Sequence, residues 1–110
     1  MADECYRPED RLRTPADYSR VMVGRQSKRG KWLVVYSLPN DRGRPRLGRI
    51  VSKKWGNAVV RNRIRRWMRE AFRRLKAELA ARDYVIMPVR VEGMTFAEVA
   101  SEMRRLCLVG

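Results

Sequence analysis

The chain has 110 residues and a formal net charge of +14, with 26 lysines and arginines, 12 aspartates and glutamates and no histidine. This length suits one domain with a modest core, and the charge favours a polyanionic partner such as RNA or DNA. The lack of histidine, of paired carboxylates and of a recognisable cysteine nucleophile argues against a protein-based catalyst and against a specific metal site.

The positive charge is concentrated in the middle of the chain. Residues 25–52 carry eight basic residues and one acidic residue, and residues 53–76 carry ten and one. The segments on either side each carry one more acidic than basic residue. This distribution predicts a basic patch on a folded surface rather than a charged tail.

The cysteines and the first residues indicate a cellular compartment. Cys5 and Cys107 lie near opposite ends of the chain without a CxxC motif, which favours a reducing environment and disfavours a disulfide bridge between them. The first ten residues are acidic and lack the apolar segment of a signal peptide, and no apolar run approaches membrane-spanning length. We therefore predict a cytoplasmic protein that does not act at membranes.

The first elements predicted along the chain are an irregular arm and a short helix. Residues 1–13 mix charges with a proline and show little periodicity, so we expect an irregular arm. Thr14 is a helix cap, Pro15 suits the first helical position and Gly24 ends the helix. Residues 25–31 are predicted to form a basic loop.

Two strands are predicted to follow. Trp32–Leu38 is rich in β-branched and aromatic residues, and residues 39–45 are dense in turn formers. Leu47–Ser52 is expected to return as a second strand, antiparallel to the first through this hairpin-like loop. Gly48 in that strand indicates a bulge or a close backbone approach.

A long helix comes next and combines an apolar stripe with a basic face. Asn57, after Gly56, is a good N-cap for a helix that starts near Ala58. The polar face is almost entirely arginine. Apolar residues recur at helical spacing and predict a buried stripe: Val60, Ile64, Trp67, Met68, Ala71, Phe72, Leu75 and Leu79.

The last elements are a strand and a helix. Asp83–Val89 is a third strand, in which Pro88 is expected at an edge or a strand end because proline has no N–H to donate. Thr95-Phe96-Ala97-Glu98 is a capping box that opens the final helix. The order α-β-β-α-β-α predicts an α+β fold with one domain over residues 1–110, a two-layer sandwich of helices on one small sheet.

Two surfaces of this fold suit RNA. Arg61, Arg65 and Arg69 lie four residues apart on one ridge of the long helix, and Arg66 and Arg73 lie on a neighbouring ridge. Guanidinium groups bind phosphate through two parallel hydrogen bonds, which makes this face a candidate docking surface. An ordinary solvated basic face is the alternative.

The first strand offers the second surface. Strand alternation places Trp32, Val34 and Tyr36 on one face and Leu33 and Val35 on the other. If the latter pair packs under the helices, the two rings are left on the opposite face, where they could stack on single-stranded bases. The pattern leaves ordinary core packing of both rings equally open.

One stretch resembles a known family. The run Ser52–Arg66, which reads S-K-K-W-G-N-A-V-V-R-N-R-I-R-R, is followed by R-E and F-R at residues 69–70 and 72–73 and closely resembles the signature of the bacterial ribonuclease P protein subunit. Further matches extend the resemblance over residues 11–107: Leu12, Asp17, Tyr18, Tyr36, Leu47, Gly48 and residues 83–86.

The resemblance implies a small protein that assists a catalytic RNA in removing the 5′ leader from precursor tRNA. The expected partners are the ribonuclease P RNA and precursor tRNA, with no small-molecule substrate. The RNA and its bound Mg²⁺ would perform the hydrolysis, so no cofactor or metal is expected on the protein itself. The implied fold has a left-handed βαβ crossover, like domain 2 of ribosomal protein S5, although right-handed crossovers are the general rule.

The resemblance also assigns site residues. It departs from the family at Tyr18 and Met22, where phenylalanine is common, and at Arg49, where the family is commonly aliphatic. The implied contacts to the RNA subunit are Lys53, Lys54, Arg61, Asn62, Arg63, Arg65, Arg66 and Arg69. The implied leader-binding cleft is lined by Tyr18, Met22, Val34 and Tyr36, with Lys53 at its rim.

Two other functions fit the same basic helix. A general RNA- or DNA-binding accessory protein, such as a ribosome-associated factor, would use it in the same way. A protein that binds anionic membrane surfaces would also carry a cationic amphipathic helix, but here the apolar stripe is needed for the core.

Overall fold

The computed structural model describes residues 11–12, 14–24 and 26–108. The predicted arm, apart from its residues 11 and 12, and Cys5 lie outside the described residues. The helices are α1 (Pro15–Val23), α2 (Ala58–Leu75) and α3 (Phe96–Leu108), and the strands are β1 (Ser27–Arg29), β2 (Leu33–Pro39), β3 (Arg46–Arg49) and β4 (Arg82–Pro88). Short 3-10 turns span Lys53–Trp55 and Lys76–Glu78. The predicted mixed α+β fold is confirmed.

The four strands form one sheet in the order β1-β2-β4-β3. β2 pairs with β4 antiparallel and β3 pairs with β4 parallel, so the predicted pairing of the first two long strands is wrong. The reason is that β4 inserts between them: Tyr84, Val85 and Ile86 are all buried, and a strand buried on both faces belongs at the centre of a sheet. Pro88 is the last residue of β4, a strand end as predicted.

An edge strand occupies part of the predicted basic loop. Ser27–Arg29 pairs antiparallel with β2, with Lys28 opposite Val35. The sequence S-K-R has no apolar alternation, and polar or charged residues are typical of sheet edges, where they discourage pairing with other chains. The sequence pattern therefore did not predict this strand.

The parallel strands β3 and β4 are neighbours in the sheet, and α2 lies between them in the chain. The predicted βαβ crossover is therefore present, and its left hand stays a prediction.

The predicted helix starts are confirmed at three side-chain caps. The Thr14 hydroxyl accepts a hydrogen bond from the Asp17 backbone N–H at 3.1 Å, and the Asn57 carbonyl accepts one from Val60 at 3.0 Å. The Thr95 hydroxyl accepts one from the Glu98 N–H at 3.3 Å. Each cap satisfies a backbone donor that the helix leaves unpaired.

The helices cover both faces of the sheet. α2 and α3 bury the main core, in which Leu33, Phe72 and Ile86 are 0% exposed. α1 covers the other face, where Val21 and Val85 are buried in a smaller cluster. The sheet thus has α2 and α3 on one face and α1 on the other.

Trp32 belongs to the main core and is 6% exposed. The prediction that it shares a face with Tyr36 is therefore wrong. β2 begins at Leu33, so strand alternation does not extend back to the tryptophan. Its indole N–H donates to the Glu98 carboxylate of α3 at 3.0 Å, which satisfies the polar atom of the buried ring.

A buried carboxylate ties α3 to the start of β2. Glu102, which is 6% exposed, accepts hydrogen bonds from the backbone N–H groups of Lys31, Trp32 and Leu33 at 2.7 to 2.9 Å. A Cβ at Gly30 would lie 2.5 Å from its Oε1, so a larger residue there would displace the carboxylate. The carboxylate takes three backbone donors that no strand pairing satisfies.

Candidate nucleic-acid interface

The start of α2 is fixed by two residues of the resembling stretch. Gly56 has φ = 138°, a conformation that residues with a Cβ rarely adopt, and a Cβ there would lie 3.0 Å from the Cβ of Val60. Asn57 then caps the helix. This turn sets the direction of α2 relative to the sheet, and therefore the position of its first arginines.

Two arginines of the predicted ridge are held by backbone carbonyls. Arg61 Nε donates to the Gly56 oxygen at 3.2 Å, and Arg65 Nη2 donates to the Val51 oxygen at 3.3 Å. Arg65 Nη1 also donates to the Asn62 side-chain oxygen at 3.2 Å. These guanidinium groups are half-buried and oriented before any ligand arrives.

Three other arginines of α2 have no such bonds. Arg63, Arg66 and Arg69 are exposed, and within the described part of the chain none of them makes a hydrogen bond or an ion pair. We call these five arginines, at positions 61, 63, 65, 66 and 69, the basic face. Its outer guanidinium groups are available to phosphate oxygens.

Beyond the basic face, Glu70 pairs with the last two arginines of α2. Glu70 accepts hydrogen bonds from Arg73 and, at 3.0 Å, from Arg74 Nε. The hydrogen bonds from Arg73, helped by those from Arg74, lower the pKa of Glu70 to about 2. Of the predicted second ridge, Arg66 is therefore unpaired, whereas Arg73 is engaged by an acid that stays ionised.

The two lysines of the resembling stretch precede α2. Lys53 and Lys54 lie in the exposed 3-10 turn after β3. The Lys54 amine lies 4.7 Å from the centre of the Trp55 ring, a cation–π contact. Both amines extend the positive surface from the helix towards the sheet.

Three of the five predicted cleft residues come together on the α1 face of the sheet. Tyr18, Met22 and Tyr36 are half-buried and pack around the buried cluster that contains Val21 and Val85. Leu38 and Ile50 join them, and we call the five partly exposed residues, at positions 18, 22, 36, 38 and 50, the α1 cluster. It presents rings and apolar groups that α1 only partly covers.

The other two predicted cleft residues lie outside this cluster. Val34 alternates onto the same face of β2 as Tyr36 but packs elsewhere, opposite Arg29 of the edge strand. Lys53 lies three residues after Ile50, in the turn that leads to α2. Sequence reasoning did not assign Leu38 or Ile50 to this surface, although Leu38 alternates onto the same face of β2 as Tyr36.

Gly48 allows α1 to approach the sheet. A Cβ on Gly48 would lie 2.6 Å from Tyr18 Cε1, closer than any real contact. The predicted close backbone approach is confirmed, and it allows the Tyr18 ring to contact β3 at Gly48.

Arg49, to which sequence reasoning assigned no role, connects the two surfaces. Its backbone N–H donates to the Tyr18 hydroxyl at 3.3 Å, and its Nη1 donates to the carbonyl oxygen of Arg65 at 2.9 Å. One residue thus bonds to the ring in the α1 cluster and to the backbone of the basic face.

A buried charge network holds α1 against the sheet. Asp83 is 0% exposed and accepts two hydrogen bonds from Arg46 and one from Asn40, each at 2.8 Å, and another from Arg20 of α1. Burial alone would raise the pKa of Asp83, but the hydrogen bonds from Arg46 and Asn40 lower it below its ordinary value. The carboxylate therefore stays ionised and fixes the position of α1.

The described residues contain neither a metal-holding cluster nor a membrane-spanning helix. No group of three or more histidine, cysteine or acidic residues capable of holding a metal occurs among them. Within the same ranges, none of the helices combines the length and the apolar character needed to cross a membrane.

The sequence is similar to one protein family over most of its length. The family model for ribonuclease P matches residues 6–108. The ribonuclease P protein component of Exiguobacterium sp. is 37% identical over 99 residues, which cover 89% of this chain and 87% of that protein. The component from Lactococcus lactis subsp. cremoris is 36% identical over 97 residues, or 87% of this chain and 83% of that one.

Solved structures are similar to the whole sandwich. The RNase P protein of Staphylococcus aureus aligns with a TM-score of 0.82 at 32% identity, over 88% of this chain and 91% of that one. The RNase P protein of Thermotoga maritima, in complex with 1-(4-fluorophenyl)-2-thiourea, aligns with a TM-score of 0.83 at 30% identity, over 90% and 98%. The matched family region contains both the basic face and the α1 cluster.

Proposed function

The chain belongs to the ribonuclease P protein family, and we propose that its basic face binds the ribonuclease P RNA while its α1 cluster binds the 5′ leader of precursor tRNA. As a ribonuclease P protein component it partners that RNA in an endoribonuclease complex of bacterial tRNA processing. We assign the hydrolysis to the RNA subunit and its Mg²⁺. We also propose that the protein acts in the cytoplasm. The side chains gathered on the two surfaces support this division, since guanidinium groups and rings bind and orient RNA.

The observation that carries the proposal is the set of unpaired guanidinium groups at Arg63, Arg66 and Arg69. Like charges on one helix repel each other, and no acid of the described chain relieves these three. Phosphates would relieve them, with release of condensed counterions. Binding that neutralises roughly 6–10 phosphates weakens by about 10³–10⁵ between 50 and 200 mM salt.

The α1 cluster suits an unpaired strand. Its two tyrosine rings pack against apolar residues, and the exposed Lys53 follows Ile50 of the cluster by three residues. Bases of single-stranded RNA stack on such rings, and a nearby amine can meet the backbone. Because Arg49 bonds to both surfaces, a leader bound at Tyr18 lies on the same rigid body as the basic face.

The test is reconstitution. The purified protein is added to a ribonuclease P RNA and precursor tRNA at low Mg²⁺, and release of the leader is followed. We expect leader release with the native chain and, with Arg66→Ala, a loss of about 1 kcal/mol in RNA affinity that lowers the release at limiting protein concentration. Arg74→Ala is the matched control, since it removes an exposed arginine of the same helix that is already paired with Glu70.

The outcomes separate the candidate functions. Equal losses with both variants would show that total charge matters and that the basic face does not. Tight binding to any structured RNA without stimulation of leader release would instead support a general RNA-binding accessory protein.

A further inference from the structure

A cavity of about 420 Å³ lies on the α3 face of the sheet, beside the last turn of α3. β1, β2 and β4 form its floor, and the 3-10 turn after α2 forms part of its rim. Its lining shares no residue with the basic face or with the α1 cluster. The RNA-binding surfaces therefore leave it unexplained.

Lys28 enters this cavity because of the strand register. It lies opposite Val35 in the antiparallel pair β1–β2, and paired residues point to the same face of a sheet. Val35 is part of the main core, so the lysine also faces α3. A lysine thus occupies a position where an apolar side chain would complete the core.

The amine of Lys28 is buried without a partner. Its nitrogen exposes less than 1 Å² and makes no hydrogen bond to any described residue. An ammonium group carries three donors, and burying it without an acceptor is costly. Such a group needs an acceptor that the described chain does not supply.

The other charged groups around the cavity are already engaged. Arg82 donates to the Ser37 hydroxyl and to the Gln26 side chain. Glu78, the acid on the rim, pairs with Arg104 at 3.1 Å. The amine is therefore the one lining cation that has no partner in the described ranges.

The remaining wall is neutral and mostly apolar. Val35 and Leu106 are buried beside Cys107, whose thiol has a pKa raised to about 12 by burial. Burial also raises the pKa of Tyr84 to about 12, and its hydroxyl donates to the Ala80 carbonyl at 3.3 Å. No anion in this wall neutralises the lysine.

We propose that the cavity binds a small organic carboxylate with an apolar chain. The carboxylate accepts hydrogen bonds from the Lys28 amine, and the chain lies against Val35 and Leu106. A single unpaired cation matches a monoanion, and the apolar wall matches a hydrocarbon chain better than it matches a free inorganic ion. Neither requirement depends on RNA binding.

The test uses hexanoate as the probe and hexanamide as its uncharged analogue. The full chain is labelled at leucine and valine methyl groups and titrated, and the resonances of Leu106, Leu108 and Val35 are followed by NMR. We expect saturable shifts with hexanoate and at least tenfold weaker binding of hexanamide, a difference of about 1.4 kcal/mol.

Two variants locate the interaction. Lys28→Met removes the amine but keeps an unbranched side chain, and should weaken hexanoate binding at least tenfold while the fold is retained. Lys31→Met removes the same charge from an exposed position on the adjoining turn and should leave hexanoate binding unchanged.

Three results would overturn the proposal. One is equal binding of the acid and the amide, and another is equal loss in both lysine variants. The third is hexanoate binding that appears only after residues 109 and 110, which follow Leu108, are removed, because the end of the chain would then be the occupant.

Discussion

Charge is used in opposite ways in two regions of the molecule. Under α1, Asp83 is fully buried and accepts hydrogen bonds from three partners, including both Arg46 and Arg20. On α2, Arg63, Arg66 and Arg69 are exposed and bond to no described residue. In the first region the charges hold elements of the fold together, and in the second we propose that they bind RNA phosphates. Substitutions in the first region should therefore lower the stability of the fold, and those in the second should lower RNA affinity.

The largest effect is expected from Asp83→Ala. Removing the carboxylate leaves Arg46, which is 6% exposed, without its main partner, and breaking a buried pair in this way costs about 3–5 kcal/mol. Denaturant unfolding followed by circular dichroism measures the loss. The control is Asp41→Ala, an exposed acid in the neighbouring loop, with an expected change within about 0.5 kcal/mol. Similar losses in both would mean that the network contributes little.

The pH dependence of stability follows from the same carboxylate. The pKa of Asp83 in the folded protein is below its ordinary value of 3.8. Its contribution is therefore fully present above the pKa of the unfolded chain and is lost as the pH falls through the lower, folded value. Asp83→Asn should flatten the acid limb of stability against pH, and an unchanged limb would contradict this assignment.

The next largest effect is expected from the triple substitution Arg63→Gln, Arg66→Gln and Arg69→Gln. RNA affinity should fall by roughly 3 kcal/mol, about 1 per guanidinium, and the slope of log affinity against log salt should drop by about three. Unfolding should barely change, because these side chains bond to nothing in the described fold. Filter binding at several salt concentrations gives the slope. A large loss of stability with an unchanged slope would reverse the roles of the two regions.

A smaller effect is expected from Tyr36→Ala in the α1 cluster. Loss of one stacking ring should weaken precursor tRNA by about 1–3 kcal/mol relative to mature tRNA, which lacks the leader. Tyr36→Phe keeps the ring and should retain the preference for precursor. If alanine and phenylalanine behaved alike, the ring would not be the leader contact.

The smallest effect is expected from Glu70→Gln, which removes the acid that pairs with the last arginines of α2. It removes one negative charge and weakens the bonds from Arg73 and Arg74, so the affinity for RNA should rise by less than about 1 kcal/mol and the salt slope should steepen. The pKa of Glu70 is lowered from its ordinary 4.5 to about 2, so in the native chain this pairing persists until the pH falls to about 2. A weaker affinity in the variant would show that Glu70 positions the arginines for RNA.

The helices were predictable because their signals are local. Thr14, Asn57 and Thr95 each cap a donor within three residues of themselves, so a short window of sequence contains the whole interaction. The resembling stretch likewise contained the entire basic face. The sequence alone did not show which arginines of α2 are paired within the fold. That depends on the carbonyl groups of Val51 and Gly56 and on one acid, Glu70.

The sheet order and the links between elements depend on distant residues. β3 pairs with β4, whose residues lie more than 30 positions later, and nothing in the loop at 39–45 reveals that another strand will intervene. Arg49 and Asp83 act through partners on other elements, so neither had a recognisable neighbour in the sequence. Trp32 was misplaced because alternation was applied one residue beyond the strand.

The hydrogen bonds of Glu102 can form only late in the synthesis of the chain. Its carboxylate serves backbone groups at residues 31–33, about 70 positions earlier in the chain. At 5–20 residues per second, synthesis takes roughly 4–14 s to cover that distance, and α2 with its uncompensated arginines emerges in between. The nascent chain is therefore strongly cationic before its core can close. A chain that stops before Glu102 should lack protection of the amides of residues 31–33 in hydrogen exchange, and the complete chain should show it.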